Sequence, residues 1–185
     1  SYRLVGSEMC IRDRTGGMDV SVSSLIAACR TAALSPRPQA AVEQLLRGIT
    51  EEPAEWAALF AETDLGADAR GVAMLHADEA VTVIHVDLAA GFASRVHDHG
   101  IWAVIAVYSG QEDNVFYRAD GDSVTETGAV SVVAPDTIRL GRDAIHHIAN
   151  PLQEPLRAIH VYGGDLRTSR RSRWEDGVRI PEGGS

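Results

Sequence analysis

The chain has no lysine; all 17 of its basic residues are arginine. That absence excludes a Schiff-base lysine, pyridoxal phosphate chemistry with it, and a phosphate-binding P-loop lysine. Cysteine is scarce as well. Cys10 and Cys29 both precede the β-rich part of the chain, too few for a disulfide framework or a four-thiolate zinc site. No apolar run approaches the roughly 18 residues of a membrane-crossing helix. Leu25–Cys29 has the look of a lipoprotein cleavage site, but Arg14–Asp19 before it supplies no hydrophobic signal region, so a cytoplasmic protein is expected. The formal net charge of −9 argues against a nucleic-acid partner, which calls for a basic domain.

What is present divides into four parts. Residues 1–17 show no period, and Gly6–Arg14 reads as translated adaptor sequence, so a non-native or disordered leader ahead of Met18 is expected. Residues 18–63 carry a helical pattern. Leu25, Ile26 and Cys29 recur at helix spacing, as do Val42, Leu45, Leu46 and Ile49, with a break at Ser35–Pro38 and a third helix from Pro53 carrying Trp56, Leu59 and Phe60. Residues 64–166 hold short β-rich runs separated by Gly, Asp and Asn: 81–87, 101–108, 114–118, 129–134, 145–150 and 156–162. Regular short strands with turn signals predict an all-β sandwich or barrel. Residues 167–185 are expected to be a polar, arginine-rich tail.

The candidate site begins at Arg95–Trp102. Along a strand, residues two apart share a face, so His97 and His99 point one way and Asp98 the other. His146 and its neighbour His147 are the candidates for a third ligand, and because adjacent strand residues face opposite ways only one of them can join the pair. Three neutral imidazoles leave coordination positions open for a substrate or oxygen, and they suit Zn, Cu, Fe or Ni without choosing among them. His160 and Tyr162 also share one strand face. Glu112-Asp113-Asn114 reads as a solvated acidic loop, and His76 and His85 as a loop and a strand residue.

Gly91, His97-x-His99 and Gly110 resemble the first cupin motif, and His146 followed by Asn150 the second. Over about Arg70 to Leu166 the chain is similar to the cysteine dioxygenase (thiol dioxygenase) family and to a bacterial branch of predicted metal-dependent cupins. The carriers are His97-Asp98-His99, Ile145–Asn150 and Glu154–Tyr162 for the former, with Trp102–Ile105 and Glu112–Arg118 for the latter. The resemblance implies a double-stranded β-helix, or jelly-roll, barrel with an N-terminal helical extension. It implies mononuclear non-haem Fe(II) on His97, His99 and His146, and oxidation of a small thiol by O2 to a sulfinate. The glutamate usual in the first motif is missing, its neighbourhood held by Ala103 and Val104. Val104 also stands where some members cross-link a cysteine to the tyrosine.

By the same resemblance, His160 and Tyr162 form a hydrogen-bond relay beside the metal, with Ala158 replacing the relay serine. Arg70 is the expected clamp for a substrate carboxylate, Arg95 a second candidate, and Trp102 a pocket wall or packing residue. The leading expectation is an Fe(II) thiol dioxygenase acting on a cysteine- or 3-mercaptopropionate-type thiol as a monomer or homodimer. A cupin metalloenzyme of another class (an isomerase or a carbon-bond-cleaving dioxygenase) and a non-catalytic metal-binding cupin are the alternatives.

Overall fold

The computed structural model describes residues 21–183; the leader expected over 1–17, with Cys10, lies outside the described residues. Three helices come first: α1 (Val22–Ala33), α2 (Pro38–Glu51) and α3 (Pro53–Glu62). Ser21 starts α1 with a reciprocal capping box to Ser24, which satisfies amide groups that the first turn leaves without intrahelical partners. Proline opens both α2 and α3, where its missing N–H costs nothing and its fixed φ suits the helix. No helix among the described residues is long and apolar enough to cross a membrane.

Eleven strands follow: β1 (Val72–Ala77), β2 (Thr82–Leu88), β3 (Val96–Asp98), β4 (Ala103–Ser109), β5 (Gln111–Asp120), β6 (Ser123–Val133), β7 (Thr137–Leu140), β8 (Ile145–Ala149), β9 (Leu156–Tyr162), β10 (Arg171–Glu175) and β11 (Val178–Glu182). They form two antiparallel sheets, ordered β1-β2-β9-β4-β7 and β11-β10-β3-β8-β5-β6. The chain crosses between sheets from β4 to β5 at Gly110. Its φ is +81°, and a Cβ there would stand 3.1 Å from the Pro155 carbonyl oxygen, so glycine suits the corner on both counts.

The central strands of the first sheet, β2, β9 and β4, are buried on both faces, which explains why they read as mostly apolar runs rather than alternating ones. On β4, Val104, Ala106 and Tyr108 pack toward the helices with Leu25, Leu46 and Phe60, while Ala103, Ile105 and Val107 join the core between the sheets. Cys29 lies in the helix-side core, where burial pushes its thiol up to about 12, a structural and inert cysteine.

His85 occupies the same layer. It hydrogen-bonds the Tyr108 hydroxyl at 2.7 Å, lies against Phe60, and is pushed down to about 4 by burial. A histidine whose pKa is lower folded than unfolded lets the unfolded chain bind the extra proton, so stability falls as pH drops from about 6.5 toward 4. At about 1.4 kcal/mol per pKa unit, the loss is on the order of 3 kcal/mol. His85→Gln should show a shallower decline than wild type in urea midpoints measured across that window. Parallel curves would exclude His85 as a contributor.

Within the stretch 167–185, expected to be a polar tail, residues 171–182 instead carry two strands. β10 and β11 form a hairpin, and β10 pairs with β3, setting Arg173 opposite His97 and Trp174 opposite Val96. The turn is Asp176-Gly177, both with positive φ; Asp-Gly is a strong hairpin signal because such turns need left-handed residues. Ser172 and Trp174 are buried, so the alternation Arg-Ser-Arg-Trp-Glu is that of a strand with one face packed.

Candidate metal centre

β3 and β8 pair so that His97 lies directly across from His146. His99 follows one residue past β3, just before Gly100, whose φ is +66° and whose Cβ would stand 2.1 Å from the Arg170 carbonyl oxygen. That close approach seats the C-terminal hairpin against the His97–His99 segment, and the Ser172 amide donates to Asp98 Oδ1 at 2.8 Å on the opposite face.

His97, His99 and His146 each offer a ring nitrogen, and these atoms lie within 4.8 Å of one another. The Nε2 atoms of His97 and His99 are 3.1 Å apart, close to the separation of adjacent corners around an ion held by nitrogen bonds of about 2.1 Å. His97 Nδ1 donates to the Arg95 carbonyl at 2.9 Å, and His146 Nδ1 donates to Asn114 Oδ1 at 2.9 Å. In both rings this fixes the proton on Nδ1 and leaves the Nε2 lone pair free. His146 Nε2 is buried and makes no hydrogen bond, and neither does His99 Nδ1. Burial holds all three imidazoles below the usual histidine range, His99 and His146 well below it, so they stay neutral and able to ligate. The residues fit a metal ion. Among the described residues no carboxylate joins this group, and Ala103, facing inward, supplies no ligand.

His147 is excluded by its direction. It lies on the outer face, where its Nδ1 and the Tyr117 hydroxyl share a hydrogen bond of 2.9 Å. Asn150 is structural: its amide donates to the carbonyls of Leu88, Ala89 and Glu154, and its Oδ1 accepts from the Leu152 amide.

His97 and His99 line a cavity of about 710 Å³ that also receives His160, Tyr162 and Arg171, with His146 buried beside them. His160 and Tyr162 do share a face of β9, with His160 Nδ1 3.3 Å from the Tyr162 hydroxyl and the tyrosine ring against His99. Burial raises the Tyr162 phenol above its ordinary value, which keeps it a hydrogen-bond donor.

The expected clamps fare differently. Arg70 and Arg95 reach the cavity rim, but both are mostly exposed and paired, Arg70 with Asp68 and Arg95 with Glu175. Of the two roles expected for Trp102, the contacts are those of packing. It packs with the helix-side core and lies over Gly163, whose Cβ would fall 1.9 Å from the ring. Arg171, expected in the exposed tail, lines the cavity; its Nε is buried without a hydrogen bond and stands 3.6 Å from Glu182 Oε2.

Glu112-Asp113-Asn114 is strand, not solvated loop. Glu112 and Asn114 are fully buried on the inner face of β5. Glu112 Oε2 accepts from His160 Nε2 at 3.0 Å and its Oε1 accepts from the Asn114 amide at 3.0 Å. The signal was there in the period: Glu112, Asn114 and Phe116 alternate with Asp113 and Val115, and Phe116 stacks on His146.

No protein-family model matches the sequence, and no curated protein matches it. Solved structures similar to it include oxalate decarboxylase from Bacillus subtilis (16% identity, 47% of this chain and 22% of that one, TM-score 0.40). Others are a recombinant oxalate oxidase in complex with glycolate (15%, 56% of each chain, TM-score 0.43) and a cupin superfamily protein from Desulfitobacterium hafniense (15%, 51% and 76%, TM-score 0.42). The chain thus spans about a fifth of the decarboxylase and just over half of the oxidase. The two antiparallel sheets, with His97 of β3, His99 just past it and His146 of β8 converging between them, make a jelly-roll-type barrel. Its metal face is a three-histidine one.

Proposed function

We propose that this cupin barrel is an Fe(II)-dependent thiol dioxygenase acting on a short thiol that carries a carboxylate. The observation that carries the reading is one cluster: His97, His99 and His146, whose ligand group includes no carboxylate among the described residues, beside a cavity lined by His160, Tyr162 and an Arg171 whose Nε is buried without a hydrogen bond. Iron bound on the three histidines supplies the chemistry by which O2 converts RSH to RSO2H, both oxygen atoms entering the product.

Each neighbouring residue has a task that the geometry allows. Neutral ligands leave the site cationic, which favours an anionic thiolate over the neutral thiol. Arg171 offers N–H donors to a carboxylate, a charge-assisted contact whose geometry also fixes which end of the substrate faces the histidines. The Tyr162 side chain, held by His160 and packed against His99, bounds the space the reacting sulfur would occupy. Ile84, Val86, Leu88 and Phe92 form an apolar wall that keeps water from competing.

The test is oxygen uptake by the anaerobically purified, Fe(II)-loaded protein against cysteine, 3-mercaptopropionate and cysteamine, with mass detection of products. Uptake matched by a product two oxygens heavier, with a preference for the acids, is expected. One iron bound per chain with no uptake against any thiol would overturn the reading.

A further inference from the structure

The relay expected from His160 and Tyr162 does not end where the sequence suggests. Ala158 offers nothing to His160, and its place as a polar terminus is taken from across the barrel by Glu112 on β5. The same carboxylate also holds Asn114, which holds His146. Five buried side chains therefore run in one line: Tyr162, His160, Glu112, Asn114, His146.

The hydrogen-bond directions along this line are forced. A carboxylate has acceptors only. On one side, Glu112 Oε2 must accept a hydrogen bond from His160 Nε2–H, so the neutral His160 ring keeps a lone pair on Nδ1 and accepts from the Tyr162 hydroxyl. On the other side, Glu112 Oε1 must face the NH2 of Asn114. That turns Asn114 Oδ1 toward His146 and places the His146 proton on Nδ1, freeing Nε2. We propose that Glu112 is a positioning residue that sets both tautomers at once, His160 for Tyr162 and His146 for the metal. The proposal rests on the reading of His97, His99 and His146 as metal ligands, but not on which reaction follows.

A buried donor or acceptor left unmatched costs more than the bond is worth, so the line should behave as a unit. Glu112→Gln removes one acceptor and adds a donor. Its NH2 must then face either Asn114 or His160, and one arm must invert. With metal holding the His146 lone pair, the inversion falls on His160, which becomes protonated on Nδ1 and points its bond at Tyr162. Adding Asn114→Asp repairs this. The carboxylate introduced at position 114 then accepts both from His146 Nδ1 and from the amide NH2 introduced at position 112. The oxygen of that amide again accepts from His160 Nε2. All four bonds return with the charge moved along by two residues.

The experiment is 15N NMR of the histidine rings in wild type, E112Q and E112Q/N114D, each loaded with diamagnetic Zn(II), with zinc content measured alongside. In wild type, His160 should be protonated on Nε2 and His146 on Nδ1. In E112Q the pyrrole-type and pyridine-type shifts of His160 should exchange positions; in the double variant they should return. If E112Q does not fold, a folded, zinc-binding double variant carries the same conclusion. The same His160 tautomer in all three proteins, or a double variant worse than E112Q, overturns the proposal. Failure of wild type to bind zinc would overturn the metal reading separately, while the metal-free wild-type tautomers still judge Glu112.

Discussion

His146→Ala should purify with no stoichiometric divalent metal, whereas His147→Ala should load one ion per chain like wild type. The two residues are adjacent, so the comparison isolates direction from composition. His146 stands on the inner face of β8 opposite His97, with its Nε2 buried and unbonded; His147 is on the outer face against Tyr117. Removing a partner behind a ligand typically weakens metal binding by about 10–100-fold. Deleting the ligand itself should exceed about 100-fold, measured by competition titration against a chromophoric chelator. The wild-type site must also release metal on acidification, since the imidazoles have to be neutral to ligate. Metal bound equally by both variants would sink the three-histidine assignment.

The fold was largely legible because two physical periods are cleanly written. Helix spacing at Leu25–Cys29 and Val42–Ile49, with proline at both later starts, corresponds to α1–α3. The runs at 81–87, 101–108, 114–118, 129–134, 145–150 and 156–162 correspond to β2, β4, β5, β6, β8 and β9. What escaped were strands with weak or unusual composition. β1 carries His76, expected in a loop, and pairs at one edge of its sheet. β7 is only four residues long. The β10–β11 hairpin is arginine-rich and looked like a solvated tail, although its Asp-Gly turn and alternating pattern were both on view.

The site divides along the same line. Residues two apart on one strand, His97 with His99 and His160 with Tyr162, were readable because strand geometry alone sets their direction. Contacts made across the barrel were not. Nothing in the local sequence says that β5 and β9, 48 residues apart at Glu112 and His160, bring a carboxylate to an imidazole. An acidic run beside a glycine reads as exposed unless the alternation from Glu112 to Phe116 is followed. Arg70 lines the cavity but also has a partner the local sequence offers: its guanidinium bonds Asp68 two residues away, a pairing that the turn-like segment favours.

On the proposed reading, Arg171→Gln should raise KM for a mercapto acid by about 10–100-fold, the usual range for losing a hydrogen bond to a buried charged group. The change in kcat should be small by comparison, since the guanidinium holds the end of the substrate remote from sulfur. Cysteamine, which has no carboxylate, should show the same KM in both proteins. Arg70→Gln and Arg95→Gln should leave every thiol nearly unaffected, because each side chain is exposed and paired at the cavity rim. Steady-state oxygen uptake over the same three thiols reads all of these together, and thermal melting separates a binding effect from loss of the Arg171–Glu182 proximity. Equal penalties on cysteamine and 3-mercaptopropionate would mean that Arg171 supports the barrel wall and does not recognise substrate. A selective loss in Arg70→Gln or Arg95→Gln would return the clamp to the rim. The physical distinction is one of desolvation: a carboxylate bound at the rim competes with water and with Asp68 or Glu175 at hydrogen-bond distance, whereas Arg171 Nε is buried without a hydrogen bond and its nearest carboxylate, Glu182, stands 3.6 Å away.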